Sequence, residues 1–235
     1  MRSFGEIWRS NIFQKWVMAI TGLLLVLFLI GHLSGNLLLF LGPEAMNAYA
    51  HGLRELFHGA SLWIARLGLL FAFGLHIWAA IRLTQRNASA RPSKYVKTEP
   101  RTSTLASRSM AISGLSLLVY LIYHLAHFTW GLAHAQHYAG QPEWTYTLES
   151  GAVVPDVYRM MVSSFQEPLI VVVYALAMIL LGLHLNHAIS SAFQTLGVTN
   201  QRLRPLVRTT GPLLGAALTL GFLSLPFVVV AGLVK

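Results

Sequence analysis

The chain has 235 residues, of which 55% are hydrophobic and only 11% are charged, and its mean hydropathy is +0.58. A soluble domain carries about 25% charged residues, so this composition excludes a soluble globular protein and indicates a helical membrane protein. The absence of cysteine excludes disulfides, thiolate metal ligands and cysteine-bound iron–sulfur clusters. Histidine, methionine and carboxylates remain as the available metal ligands.

Five apolar segments are each long enough to cross a hydrocarbon core about 30 Å thick. We predict an all-α membrane protein in which residues 1–235 form one five-helix bundle. The predicted spans are residues 16–41, 62–83, 110–132, 168–193 and 212–234. A short interfacial helix that includes Leu53, Leu56 and Phe57 is expected between the first two spans. Residues 86–108 are polar, basic and rich in Ser and Pro, which favours an extended loop, and no internal repeat is evident.

The distribution of charge between the loops predicts the orientation of the chain in the membrane. If the N-terminus is cytoplasmic, the cytoplasmic side carries thirteen basic residues and two acidic ones, whereas the other side carries four basic and six acidic residues. This asymmetry follows the positive-inside rule and predicts an N-terminus inside and a C-terminus outside. The net charge of +9 is therefore explained by membrane topology rather than by nucleic-acid binding.

Four of the predicted spans each contain an interior histidine, namely His32, His76, His124 and His184. An ionisable side chain at such a depth costs several kcal/mol, so each one indicates a functional site. At a rise of 1.5 Å per residue, His32 and His124 lie about 24 and 21 Å from the inner boundary, and His76 and His184 about 10 and 13 Å. The histidines therefore form an outer pair, His32 and His124, and an inner pair, His76 and His184.

Two imidazoles that face each other at one depth can bind a haem iron from both sides, each as a neutral ring. This ligation leaves no open coordination position, so the site suits electron transfer rather than oxygen chemistry. We predict two haem groups, each with two axial histidines. The ligands are His76 and His184 for the inner haem and His32 and His124 for the outer haem. The alternative is that these histidines bond neighbouring helices or line a proton path.

Two further histidines leave the choice of iron ligand open. His127 and His187 each lie three residues after a candidate ligand, on nearly the same helix face. We interpret both as interfacial side chains that contact haem or a quinone. Small residues near the ligands, Gly74 and Gly182 before the inner pair and Gly31 and Gly35 beside His32, are expected to make room for flat macrocycles.

The sequence around each interior histidine is similar to one known family. The segments are LFLIGHLSGN around His32, FGLHIWAAI around His76, LIYHLAHFTWG around His124 and LGLHLNHAISSAFQTLGVT around His184. In this order and topology the chain resembles, over nearly its whole length, the cytochrome b membrane-anchor subunit of di-haem succinate:quinone oxidoreductases, the bacterial type with a single five-helix anchor. In that family the first and third helices ligate the distal haem, and the second and fourth ligate the proximal haem.

The resemblance implies a multi-pass protein of the bacterial cytoplasmic membrane that binds two haem b groups. It implies that a FAD flavoprotein subunit and an iron–sulfur subunit bind the cytoplasmic face, and that the chain has no catalytic residue for succinate itself. Electrons from the iron–sulfur subunit reach a quinone, usually menaquinone, by way of the haems. Near the outer haem, Asn36, His58 and Glu167 are the candidate quinone-site residues.

Two alternatives remain within this class of cytochrome. The chain could serve a fumarate reductase, but some enzymes of that kind carry a membrane glutamate where this chain has Gly182, so succinate oxidation is favoured. It could also be the di-haem cytochrome b subunit of another membrane dehydrogenase, such as a formate dehydrogenase or a hydrogenase. A transporter or channel without haem is disfavoured because no span carries a charged residue near its middle.

Overall fold

The computed structural model describes residues 3–89, 110–198 and 200–234, and these are predominantly helical. Five helices among the described residues are long and apolar enough to cross a membrane, which confirms the predicted number of spanning helices and the mainly helical fold. They are α2 (Asn11–Asn36), α4 (Ala60–Ser89), α5 (Met110–Phe128), α7 (Pro168–Thr195) and α8 (Arg204–Val230). The shorter elements are α1 (Phe4–Trp8), α3 (Pro43–Glu55), α6 (Val157–Phe165) and a hairpin of β1 (Thr145–Thr147) and β2 (Val153–Pro155).

Some helix boundaries differ from the predicted ones. Helix α8 begins at Arg204 and contains Pro212, so the fifth helix starts eight residues before the predicted span. The interfacial helix α3 ends at Glu55, because Phe57 adopts a left-handed backbone (φ 52°) that an α-helix cannot continue through. Residues 86–89 of the predicted loop belong to α4, and the rest of that loop lies outside the described residues.

The spanning helices alternate in direction between two ends of the bundle. The N-terminal face carries α1, and the C-terminal face carries residues 37–59 and 129–167. At the N-terminal face, Arg86 of α4 donates hydrogen bonds to Asn11 and to the carbonyl oxygen of Arg9. Trp8 of α1 packs against Trp78 of α4, with ring centres 5.0 Å apart. These contacts hold α1 across the ends of α2 and α4.

Small residues let α7 and α8 pack closely. A Cβ atom on Gly211 would lie 2.5 Å from the carbonyl oxygen of Asn186, and one on Gly182 would overlap the hydroxyl of Thr219. The hydroxyl of Ser190 also donates to the carbonyl oxygen of Val207 across this contact. Small residues at four-residue spacing are typical of helix pairs inside membranes. Gly182 therefore makes room for α8, which differs from its expected role beside a macrocycle.

A buried polar contact joins α3 to α6 at the C-terminal face. Asn47 is fully buried (0% exposed), and its amide donates to the carboxylate of Asp156 at 2.9 Å. Its side-chain oxygen accepts from the backbone N–H of Tyr158 at 3.1 Å. Asp156 also caps α6 by accepting from the backbone N–H of Arg159. The cap over this end of the bundle is therefore held by one hydrogen-bonded network.

Replacement of Asn47 by alanine is expected to destabilise this cap. The substitution removes both hydrogen bonds of the Asn47 side chain, to the carboxylate of Asp156 and from the backbone N–H of Tyr158, which costs about 1–3 kcal/mol in the free energy of unfolding. The midpoint of thermal unfolding in detergent should fall accordingly. Glu55→Ala, at an exposed position of the same helix, is the control and should leave the midpoint unchanged. Equal midpoints for both variants would contradict the assigned network.

Candidate functional site

The structure brings His32 of α2 and His124 of α5 together. Their ring centres are 5.9 Å apart, and the rings are nearly perpendicular, at 88°. A metal–imidazole bond is about 2 Å long, so two imidazoles on opposite sides of one metal ion hold their ring centres about 6 Å apart. The separation therefore fits two axial ligands of one iron. Phe28 stacks on the ring of His32 at 5.3 Å and limits its rotation.

The other two histidines lie against hydroxyl–glycine pairs of neighbouring helices. Nδ1 of His76 is 3.2 Å from the hydroxyl of Thr21 on α2, and a Cβ atom on Gly22 would lie 3.3 Å from the His76 ring. Nδ1 of His184 is likewise 3.2 Å from the hydroxyl of Ser113 on α5. The structure thus brings one of the two pairs expected from depth, His32 and His124, into ring contact, and the pairing of His76 with His184 stays a prediction from their depths.

The hydroxyl groups determine which nitrogen of each inner histidine carries the proton. Thr21 donates its single hydroxyl hydrogen to the carbonyl oxygen of Val17 at 2.6 Å, and Ser113 donates to that of Met110 at 3.2 Å. The Thr21 oxygen then accepts a hydrogen bond from Nδ1–H of His76, because its carbonyl contact is the shorter one. Ser113 lies 3.2 Å from both the Met110 oxygen and Nδ1 of His184, and it accepts from Nδ1–H when its own hydrogen is on Met110. In a neutral imidazole this leaves Nε2 as a bare lone pair, the form in which histidine binds a metal.

His127 is bonded through both ring nitrogens. It is 1% exposed, with Nδ1 3.0 Å from the hydroxyl of Tyr174 and Nε2 3.0 Å from the hydroxyl of Ser164. Nδ1 of His124 is 3.3 Å from the same Tyr174 hydroxyl, whereas its Nε2 makes no hydrogen bond in the described residues. This arrangement favours His124 over His127 as an iron ligand. It also places His127 in the protein interior rather than at the expected interface.

His32 is held differently from the other three candidate ligands. Its Nδ1 lies 3.5 Å from the side-chain nitrogen of Asn36, and the same amide donates to the backbone carbonyl oxygen of His32 at 2.7 Å. No hydroxyl contacts this ring nitrogen within the described ranges. The position of the His32 ring is therefore set mainly by Phe28, His124 and Phe222, which surround it at ring-centre distances of 5.3 to 6.0 Å.

The Nε2 atoms of the four interior histidines are accessible. None of them makes a hydrogen bond in the part of the chain that the structure describes. There, the only buried side-chain nitrogen or oxygen atoms without a partner are Oε1 of Gln14 and Nε2 of His137, so none of the four Nε2 atoms is fully buried. Two accessible imidazole nitrogens per site fit a haem iron bound on both faces. The described residues contain no group of three or more His, Cys, Asp or Glu that could hold a metal ion, but a bis-histidine site needs only two.

The glycines beside the histidines have roles that the sequence did not predict. A Cβ atom on Gly35 would lie 2.6 Å from the ring of Tyr49, so Gly35 accommodates α3. Gly31 and Gly74 are exposed and have no atom within 4 Å of a would-be Cβ position, so their expected role beside a macrocycle stays a prediction. The glycine that contacts a ligand ring on α5 is Gly114, 3.6 Å from Cε1 of His184, and it was not among the predicted residues.

A sequence signal for the hydroxyl–glycine pairs exists. Thr21-Gly22 precedes His32 by the same number of positions as Ser113-Gly114 precedes His124. The second helix of each pair carries the tripeptide Gly-Leu-His, ending at His76 in α4 and at His184 in α7. The helix pairs α2–α4 and α5–α7 therefore form a two-fold repeat of the site, although no repeat was evident from the sequence alone.

The remaining predicted residues lie at separate points. Asn36 contacts His32, as described above, whereas His58 is exposed and adopts a left-handed backbone with φ 54°. Glu167 precedes α7, is 56% exposed, and has a carboxylate oxygen 3.9 Å from Nε2 of His137. No hydrogen bond or ion pair joins any two of the three candidate quinone residues among the described residues. His187 is half-buried on α7 and makes no hydrogen bond in the same ranges.

Comparison of the chain with family models, curated proteins and solved structures finds no match.

Proposed function

We propose that the chain is the membrane-anchor di-haem cytochrome b subunit of a bacterial succinate:quinone oxidoreductase. The observation that carries this proposal is that four interior histidines on four helices, with His32 and His124 in ring contact, have unbonded Nε2 atoms in the described residues, while Nδ1 of each faces a polar side chain. When bound at these pairs, haem b supplies reversible one-electron transfer across the membrane. The similarity of the four histidine segments to that family of cytochromes supports the same conclusion.

In this proposal the protein's own residues bind the two haem groups and orient the ligand rings. His76 and His184 hold the inner haem, and their Nδ1–H groups are fixed by Thr21 and Ser113. His32 and His124 hold the outer haem. Because all four imidazoles bind iron as neutral rings, the membrane interior needs no counter-charge near them. The two levels, about 10 Å apart along the helix axes, allow electrons to cross most of the bilayer.

The charge asymmetry supports an orientation with the N-terminal face in the cytoplasm. In the described residues that face carries seven basic residues and one acidic residue, Glu6, whereas the C-terminal face carries six acidic residues and three basic ones, Arg54, Arg66 and Arg159. The positive-inside rule then places α1 and the basic loops towards the cytoplasm. This basic face would bind the iron–sulfur subunit, which in turn binds the FAD flavoprotein subunit.

The quinone, menaquinone in this proposal, would bind near the C-terminal face. Asn36 is the best supported candidate contact, because its amide lies beside His32 of the outer pair. Glu167 with His137 and the exposed His58 are further polar groups at the same face. Trp130, Leu132 and Leu169 are exposed at this level and would face lipid, through which a quinone approaches.

The packing at Gly182 favours succinate oxidation over fumarate reduction. A Cβ atom at this position would overlap the hydroxyl of Thr219, so α8 occupies the place where a membrane glutamate side chain would begin. The proton path proposed for some fumarate reductases through that glutamate therefore has no counterpart at this position. A fumarate reductase anchor, or a cytochrome b serving another dehydrogenase, would use the same histidine pairs with different partners.

Purification of the intact complex from its native membrane tests this proposal. We expect two b-type haems per chain by haem extraction, a dithionite-reduced minus oxidised spectrum of haem b, and co-purified subunits that contain FAD and iron–sulfur clusters. The complex should reduce a menaquinone analogue with succinate. A folded preparation without haem would contradict the cytochrome assignment. Two haems with subunits of a formate dehydrogenase or hydrogenase would contradict only the choice of partner.

A further inference from the structure

His127 occupies an unusual place for a membrane histidine that binds no iron. It is fully enclosed by α5, α6 and α7, stacked on Phe128 with ring centres 4.0 Å apart. Its two nitrogens connect the hydroxyl of Ser164 on α6 to that of Tyr174 on α7. Tyr174 in turn reaches Nδ1 of His124. Four polar groups from three helices thus form one chain that ends on an iron ligand of the proposed outer site.

The directions of these hydrogen bonds follow from the Ser164 hydroxyl, because the position of its hydrogen is fixed. Ser164 donates its single hydroxyl hydrogen to the carbonyl oxygen of Met160 at 2.7 Å, so it must accept from Nε2–H of His127. A neutral His127 then has a bare Nδ1, which accepts the hydroxyl hydrogen of Tyr174. The Tyr174 oxygen is left to accept from Nδ1–H of His124. Nε2 of His124 is therefore the bare lone pair that an iron ligand needs.

We propose that His127 is a positioning residue that acts through Tyr174 to fix the tautomer of His124 and to lower the reduction potential of the outer haem. This inference rests on the proposed function. A hydrogen-bond acceptor on the far nitrogen makes an imidazole a more basic ligand, which stabilises oxidised iron relative to reduced iron. Because Tyr174 donates to His127, its oxygen is polarised and becomes a better acceptor for His124.

The effect should be confined to one of the two haems. The inner ligands His76 and His184 are held by hydroxyls that donate directly to carbonyl oxygens of their own helices. No second histidine stands behind those hydroxyls in the described ranges. His32, the other outer ligand, has an amide nitrogen near Nδ1 and so lacks an acceptor of this kind. The His127–Tyr174 chain is therefore specific to the outer site and gives the two haems different environments.

Potentiometric titration of both haems in the purified complex tests the proposal, with electron paramagnetic resonance of the oxidised haems as a second readout. His127→Leu removes the acceptor for Tyr174, so the potential of the outer haem should rise while that of the inner haem stays unchanged. Tyr174→Phe should raise it at least as much. In the double variant the two shifts should not add, because both substitutions break the same chain. In the electron paramagnetic resonance spectrum, only the signal of the outer haem should change.

Two further variants separate this role from packing. His127→Gln keeps an acceptor for Tyr174 and a donor for Ser164, so it should restore the potential towards that of the parent. Tyr120→Phe is the matched control, because its ring lies 5.8 Å from that of His124 but its hydroxyl makes no bond to that histidine. It should leave both potentials unchanged.

The possible results are distinct. Unshifted potentials in His127→Leu and Tyr174→Phe, with both haems present, would overturn the proposal. Equal shifts of the outer haem in His127→Leu and in Tyr120→Phe would also overturn it, since they would indicate general repacking. If His127→Leu does not fold, the comparison of Tyr174→Phe with Tyr120→Phe decides the question. Absence of haem from the parent protein would contradict the proposed function, which is a different outcome from haems with unshifted potentials.

Discussion

Replacement of His184 by alanine is expected to reduce the haem content of the purified complex from two per chain to one. His184 presents an unbonded Nε2 while Ser113 holds its Nδ1, so the substitution removes one of two axial ligands from the inner iron. A single remaining imidazole does not retain a b-type haem through purification. Extracted haem per polypeptide and the reduced minus oxidised spectrum measure the loss. His124→Ala should remove the outer haem in the same way.

The neighbouring histidines provide matched controls for these substitutions. His187→Ala lies one turn further along α7 and should retain both haems. His127→Ala should also retain both, because both ring nitrogens of His127 are bonded within the protein. Retention of two haems in His124→Ala, together with loss of one in His127→Ala, would reverse the assignment on α5. Retention of two haems in His184→Ala, together with loss of one in His187→Ala, would reverse the ligand assignment on α7.

Replacement of Gly211 by leucine is expected to prevent the docking of α8 on α7. The first side-chain carbon alone would lie 2.5 Å from a backbone oxygen of Asn186, and that backbone cannot move without distorting the helix that carries His184. Overpacking of this kind costs about 1–3 kcal/mol or more. We expect a strongly reduced yield of monodisperse protein in detergent and partial loss of the inner haem.

A glycine elsewhere in the bundle controls for the loss of glycine itself. Gly68 on α4 is exposed, and no atom lies within 4 Å of its would-be Cβ position. Gly68→Leu should therefore give a yield, haem content and unfolding midpoint close to those of the parent. If Gly211→Leu behaves like Gly68→Leu in all three measurements, the α7–α8 contact is not as close as described.

The spanning helices could be read from the sequence because a bilayer imposes a length. Each long apolar run has to cross about 30 Å without exposing its backbone, so it must be a helix. The length of a span does not fix where a helix begins or ends. The start of α8 at Arg204 and the end of α3 at Glu55 depend on local backbone choices at Pro212, which α8 contains, and at Phe57, which turns left-handed.

The sequence also determined the depth of each interior histidine, because position along a straight helix is a one-dimensional coordinate with a fixed rise. That was enough to expect His32 with His124 and His76 with His184, and the structure places the rings of His32 and His124 5.9 Å apart. The depth of a residue does not specify how its helix is rotated about its own axis. Helices that face lipid are apolar all round, so their patterns do not indicate which side meets a neighbour.

Only the tertiary structure therefore decided which side chains stand behind the histidines. It places Thr21 and Ser113 on the inner pair, directs Gly182 towards α8, and encloses His127 between Ser164 and Tyr174. Hydrogen bonds of this kind join residues far apart in the chain, and their direction is set by a carbonyl oxygen one turn away from a hydroxyl. The sequence determined the histidines and their levels, and the packing of helices decided which side chains contact the nitrogen atoms of each ring.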